Sequence, residues 1–213
     1  TERETMSKVA RACLENRVPF LSVGGDHAYT YDIVSSMNVY NKPVVLWVLD
    51  AHNDMYGNTE KLDHGNVIYH IAELPFIKTI IQIGSRGLRT QEQLVKHPKV
   101  IQVSHENFSI DLIEYWSKQF NDSINYISID LDSLDPQVFP FVDFRIPDGL
   151  LKKEVTNIIK EIFKRNELIV GADIVEGTAS GSVINGDYDI PLEILILLLN
   201  KFYKNRRERG MYT

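Results

Sequence analysis

The chain has 213 residues, 44% apolar and 24% charged, with a formal net charge of -6. Those values describe a single globular domain, residues 1–213, with a sizeable core, and the negative balance argues against a nucleic-acid surface. The lone cysteine, Cys13, permits no internal disulfide, which suits a reducing, cytoplasmic setting, and the most apolar run, Ile194 to Leu199, is too short to span a bilayer.

In chain order, Glu2 to Asn16 reads as an amphipathic helix with Met6, Val9, Ala10, Cys13 and Leu14 on one face. Val18 to Val23 is a short strand ending in Gly24-Gly25-Asp26-His27, where glycines permit a tight turn. Tyr29 to Met37 is helical. Pro43 to Leu49 is a β-branched, apolar run of the kind that fills a buried parallel strand, and it ends in Asp50-Ala51-His52-Asn53-Asp54. A loop through Gly57, Asn58 and Asp63-His64-Gly65-Asn66 leads to a helix at Val67 to Glu73. Next come a strand from Lys78 to Ile83, a short helix from Gln91 to Lys96, a strand from Lys99 to Val103 and a helix from Ile110 to Phe120. The strand Ile124 to Ile129 is followed by Asp130-Leu131-Asp132-Ser133-Leu134-Asp135-Pro136. A helix from Leu151 to Arg165, a strand from Leu168 to Ile174 ending at Glu176-Gly177, and a closing helix from Pro191 to Tyr203 complete the chain. The basic run after it, Lys204 to Arg209, reads as a solvated helix end.

Strands that alternate with helices call for a mostly parallel sheet covered by helices on both faces. The polar clusters Gly-Gly-Asp-His, Asp-Ala-His-Asn-Asp, Asp-Leu-Asp and Val-Glu all fall at carboxyl ends of strands, which a parallel sheet gathers on one rim. His27, Asp50, His52, Asp54, Asp130, Asp132 and Glu176 are thereby delivered together. In an extended segment, Asp50, His52 and Asp54 would share a face. Taken alone, that triplet reads equally as a metal site or as a polar loop. As a group, two imidazoles and four or more carboxylates need a compensating cation. An oxygen-rich set without thiolates favours Mn²⁺ or a similar ion over structural zinc, and the count suits two ions activating one water.

These motifs resemble the ureohydrolase family of arginases, agmatinases and formiminoglutamases. The resemblance rests on Gly24-Gly25-Asp26-His27, Asp50-Ala51-His52-Asn53-Asp54, Ser128 through Pro136, and Gly171-Ala172-Asp173-Ile174-Val175-Glu176, in family order across about three quarters of the chain. The run Asp50 to Tyr69, with Met55-Tyr56 and Asp63-His64-Gly65, looks most like the agmatinase branch. The resemblance implies a three-layer αβα fold and a homo-oligomer, trimeric or hexameric. It implies two Mn²⁺, with other divalent ions competing: one held by His27, Asp50, Asp54 and Asp130, the other by Asp50, His52, Asp130 and Asp132. It implies a hydroxide attacking a guanidinium carbon, Asp54 orienting it and passing its proton to the departing amine, His64 as proton shuttle, and Glu176 pairing with the guanidinium. Asp26 then supports a ligand rather than being one, and Asp135 holds a turn. His70, His97 and His105 match no motif and read as surface or packing residues.

Three features depart from the family pattern. The chain begins close to its first metal motif, so it is either a compact member or lacks the family's N-terminal segment. The stretch Phe141-Val142-Asp143-Phe144-Arg145-Ile146-Pro147-Asp148-Gly149 stands where relatives carry small, glycine-rich residues. The segment from Gly177 to Asp187 is longer than the usual turn. If Arg145 faces the pocket it would suit a guanidino compound carrying a carboxylate, whereas Asp143 would grip an amine; an exposed Asp–Arg pair is the plainer reading. An agmatinase-like reaction is the expectation for the whole. Its rivals are a peptide arginase converting arginine side chains to ornithine, a catalytically idle metal-binding subunit, and a two-metal hydrolase of another amide or a phosphate.

Overall fold

The computed structural model describes residues 1–56, 61–86, 96–178 and 189–208. Helix α1 (Glu2–Glu15) opens on a capping box in which the Thr1 hydroxyl accepts from Glu4 N–H. It stops at Arg17, whose φ of 57° turns the chain so that Val18 N–H reaches back to the Cys13 carbonyl. Strand β1 (Phe20–Val23) therefore starts two residues later than its apolar pattern suggests. Helix α2 (Ala28–Val34) is shorter than expected and passes into a 3₁₀ segment, Ser35–Tyr40. The hydroxyls of Ser35 and Ser36 both donate to the Asp32 carbonyl and compete for the bond that would continue the α-helix.

The remaining elements follow the expected order: β2 (Val44–Leu49), α3 (Val67–Glu73), β3 (Ile77–Ser85), β4 (Val100–Ser104), α4 (Asp111–Gln119), β5 (Ile124–Asp130), α5 (Lys152–Arg165), β6 (Ile169–Val175) and α6 (Asp189–Glu208). Helix α6 begins before Pro191, which is tolerated because its missing N–H falls in the first turn. The helix expected over Gln91 to Lys96 lies, apart from Lys96, outside the described residues.

The six strands form one sheet in the order β1-β6-β5-β2-β3-β4, and every pairing is parallel. Strand β2 shows the layering: Val45, Trp47 and Leu49 pack toward α4, α5 and α6, while Val44, Leu46 and Val48 pack toward α1, α2 and α3. All six side chains are fully buried, because each face of the sheet is covered. The chain winds outward from β2 through β3 to β4, then returns to β5 on the other side of β2. That reversal opens a crevice between the carboxyl ends of β2 and β5, the place where open parallel sheets bind ligands.

Candidate metal centre

Asp50 leaves β2 at this crevice, its N–H held by the Ile83 carbonyl of β3. The alternation of Asp50, His52 and Asp54 does not arise from an extended strand. Asp50 Oδ1 accepts from His52 N–H at 2.6 Å, bending the chain, and Asp54 has a φ of 45°. The Asp54 carbonyl in turn accepts from the N–H groups of Ile68 and Tyr69, so the start of α3 holds this uncommon conformation in place. The three side chains fan out rather than line up, with His52 aimed at Asp132 and Asp54 at His27.

His27 enters from the turn after β1. Gly24 and Gly25 have φ of 95° and 84°, and a Cβ on Gly25 would lie 2.8 Å from the Tyr29 ring, so this turn requires glycine. His27 is fully buried. Its Nδ1 lies 3.0 Å from Asp54 Oδ2 and 3.4 Å from both Asp50 Oδ2 and Asp130 Oδ2. On the other side of the ring, Nε2 lies 3.1 Å from Ser128 Oγ, and that hydroxyl donates to Asp173 Oδ1 at 2.6 Å. Asp173 also accepts from Thr30 and Tyr126. When His27 is neutral, Nε2 donating to Ser128 leaves the Nδ1 lone pair facing the carboxylates, the tautomer a metal ligand needs.

Asp130 closes β5, and its Oδ1 accepts from Asp132 N–H at the head of a 3₁₀ turn. Asp132 accepts from Ala51 N–H at 3.0 Å and lies 2.6 Å from His52 Nδ1. Two groups result, His27 with Asp50 and Asp130, and Asp50 with His52 and Asp132; within each, the candidate ligand atoms lie within 4.8 Å of one another. One carboxylate, Asp50, is common to both and is placed to serve two neighbouring ions, whereas Asp130, expected in both sets, falls in the first group alone. Asp54 sits at the first group through its contact with His27.

The electrostatics agree. Burial, then repulsion from Asp54, pushes the Asp50 carboxyl up to about 7 against the pull of His27. Burial and Asp132 hold Asp130 well above the carboxylate range. Burial disfavours a charged His27, but Asp130, Asp50 and Asp54 outweigh it and hold its pKa well above the ordinary value. His52 is raised in the same way by Asp132. Burial opposes ionisation of Asp132 too, yet its bond to His52 leaves it below the usual value. Asp50, Asp130, His27 and His52 thus all hold their protons more tightly than usual, the sign of a site with an excess of negative charge, and divalent ions fit the same oxygen-rich set.

A cleft of about 490 Å³, its open mouth included, lies above this cluster. Glu176 faces it, with a φ of 63°, its N–H on the Gly25 carbonyl and its Oε1 accepting from His27 N–H at 2.7 Å. Burial raises its pKa, opposed by that His27 N–H. His64, exposed at the rim, stacks on Phe144 with centroids 6.0 Å apart. Asp143 lines the mouth, whereas Arg145 is exposed outside it, its Nε donating to the Val142 carbonyl. Asp26 caps Ala28 N–H, and Asp135 holds Gln137 and Gly149 N–H groups. His70 packs against Tyr31 and Tyr69, His97 pairs with Glu73, and His105 with Glu154.

Sequence reasoning assigned no role to Ser128, Gln82 or Arg86. Gln82 bonds Asp50 Oδ2 and the His52 carbonyl. Arg86 directs its guanidinium to the carbonyls of Asp132, Ser133, Leu134 and Ile146, fixing the turn after β5 from behind. Ser128 and Gln82 could have been found as polar residues inside buried apolar strands, which must be paired.

Residues 2–180 match the family model described as "Arginase family". Mitochondrial arginase 1 of Arabidopsis thaliana is 31% identical over 172 residues, covering 78% of this chain and 49% of that protein. An agmatinase of Chromobacterium violaceum is 30% identical over 183 residues, covering 83% and 55%. The chain thus spans about half the length of the curated relatives it matches. A crystal structure described as a hypothetical agmatinase from Burkholderia thailandensis superposes with a TM-score of 0.81 at 23% identity, over 98% of this chain and 66% of that one, a likeness of fold.

Proposed function

This chain belongs to the arginase family of ureohydrolases, and on that premise we propose that it hydrolyses a small guanidino compound of the agmatine type to urea and an amine, with two Mn²⁺ ions. The observation that carries the reading is the pair of His/Asp groups sharing Asp50, all buried but for a partly exposed His52, at the base of a cleft that Glu176 faces. The names of two relatives, an agmatinase and an N(1)-aminopropylagmatine ureohydrolase, support a guanidino amine as substrate. His27, Asp50, Asp54 and Asp130 would hold one ion, and Asp50, His52, Asp130 and Asp132 the other. Bound there, the ions would supply Lewis acidity and a water of lowered pKa.

The chain's own residues do the rest. Glu176, fixed by His27 N–H, offers its carboxylate to the planar guanidinium fork, which it can grip through two charge-assisted hydrogen bonds. Asp54 lines the same cleft as Glu176. Asp54 accepts the proton released as water adds and returns it to the departing amine nitrogen. His64, exposed at the rim, exchanges protons with solvent.

The test is urea release by the Mn²⁺-loaded protein from agmatine, free arginine, a guanidino acid and an arginine-containing peptide. Urea from agmatine, abolished by Asp54→Asn, is expected. Ornithine formed only within the peptide would make the protein a peptide arginase, and no urea from any of the four would overturn the reading.

A further inference from the structure

The residues around the mouth of the cleft carry a second piece of information, about the end of the substrate away from the guanidinium. Asp143 and Phe144 stand on the loop between Pro140 and Gly149, and that loop is firmly tied down. Its far end is fixed by Gly149 N–H on Asp135 Oδ2, its middle by Arg86 on the Ile146 and Pro147 carbonyls, and its start by Thr178 N–H on the Phe141 carbonyl. The last bond ties it to the segment carrying Glu176. The near and far ends of a bound substrate would therefore meet residues in fixed relation. Val142 is buried and anchors the turn, while Phe144 is left 59% exposed. One side of the Phe144 ring stacks on His64, and its contact with His52 is edge-on at 6.1 Å. Asp143 lines the cleft, and its carboxylate makes no hydrogen bond or ion pair with any described residue. Arg145 is turned out, and among the described residues no lysine or arginine lines the cleft.

We propose that Asp143 and Phe144 form the part of the site that reads the substrate's far end, and that they select an ammonium group carried there on a short aliphatic spacer. The inference rests on the guanidino-hydrolase reading and narrows its substrate class. A free carboxylate beside an exposed aromatic face is a cation-recognising pair: the carboxylate supplies charge, and the ring supplies its negative face and an apolar surface for methylenes. The same carboxylate, in a cleft that Glu176 also lines, repels a substrate whose far end is a carboxylate.

A matched trio of substrates tests this: agmatine, butylguanidine and 5-guanidinopentanoate, in which the same four-carbon chain on the guanidine carries at its end an ammonium, only hydrogen, or a carboxylate. The wild-type protein should prefer them in that order by kcat/KM. In Asp143→Asn the agmatine-to-butylguanidine ratio should fall about 5- to 10-fold, the effect of one partly exposed ionic contact. Asp143→Arg should invert the preference between agmatine and 5-guanidinopentanoate. Phe144→Leu should raise KM for agmatine more than it lowers kcat. An agmatine-to-butylguanidine ratio within twofold of wild type in Asp143→Asn would overturn the inference while leaving the hydrolase reading intact. Calorimetric binding of agmatine and 5-guanidinopentanoate to wild type and Asp143→Asn decides it even if no substrate yields urea. A cation preference lost in the variant supports the inference, and equal affinities in the wild type overturn it.

Discussion

Replacing Ser128 with alanine is the sharpest test of how the site is built. His27 is fully buried, and its Nε2–H has the Ser128 hydroxyl as acceptor at 3.1 Å. Without that oxygen the N–H is left unsatisfied in the interior, at about 1–3 kcal/mol. Asp173 loses its 2.6 Å donor but keeps Thr30 and Tyr126, which limits the further cost to about 1 kcal/mol. The metal-free variant should therefore unfold with about 2–4 kcal/mol less free energy in a denaturant titration. Loss of the bond also frees the imidazole to rotate or change tautomer, so Mn²⁺ affinity measured by calorimetry should fall about 10- to 100-fold, as it does when an outer partner of a metal-ligating histidine is removed. The two readouts separate the roles. A stability loss with Mn²⁺ affinity within twofold of wild type would refute the argument that Ser128 orients His27 as a ligand.

Other perturbations probe neighbouring parts. Glu176→Gln keeps the acceptor for His27 N–H but removes the charge; KM for agmatine should rise about 10-fold or more with Mn²⁺ affinity unchanged, measured by steady-state kinetics and calorimetry. Arg86→Lys cannot reproduce a planar fork serving the Asp132, Ser133, Leu134 and Ile146 carbonyls; a loss of about 2–4 kcal/mol in chemical unfolding is expected. The metal-free protein should lose stability as pH rises. Asp50 holds its proton to about 7 in the folded state against an ordinary 3.8, chiefly through burial, so the folded state binds more protons than the unfolded one between those values. That raised pKa contributes on the order of 4 kcal/mol below pH 4, lost as pH climbs through 7. His27, also raised, acts in the same sense, and lowered Asp132 acts only at more acid pH. Thermal unfolding in chelator from pH 5 to 8 checks this, with the largest Mn²⁺-induced stabilisation expected at pH 8; a melting temperature that climbs with pH would contradict the assignment.

The elements and the identity of the clustered residues were readable because both follow from short-range pattern. Buried strands such as Val44–Leu49 announce themselves by continuous apolar residues, and polar motifs at their ends mark the ligand-binding rim. What could not be read is the backbone between those residues. Nothing in Asp50-Ala51-His52-Asn53-Asp54 says that Asp54 adopts a φ of 45°, because the bonds that hold it come from Ile68 and Tyr69, beyond an intervening loop. The orientation of Arg145 had the same obscurity: its neighbour Asp143 reaches the cleft and it does not, a difference set by the loop's long-range anchors at Arg86 and Thr178.

Sheet order explains why motifs so far apart in sequence can act as one site. Glu176 and His27 are separated by 149 positions yet share a 2.7 Å hydrogen bond, because β6 and β1 are neighbours. Strands β1, β6, β5 and β2 are contiguous in the sheet, and they deliver His27, Glu176, Asp130 with Asp132, and Asp50 with His52 and Asp54. Strand β3, across the reversal, delivers supports: Gln82 steadies Asp50, and Arg86 holds the turn bearing Asp132. The acidic half of the rim is thus braced by a half-buried guanidinium on its flank, whose charge offsets part of the repulsion among the carboxylates without entering the cleft. A cation kept behind the site helps gather acids before an ion arrives, whereas one placed inside it would compete with that ion for the same oxygens.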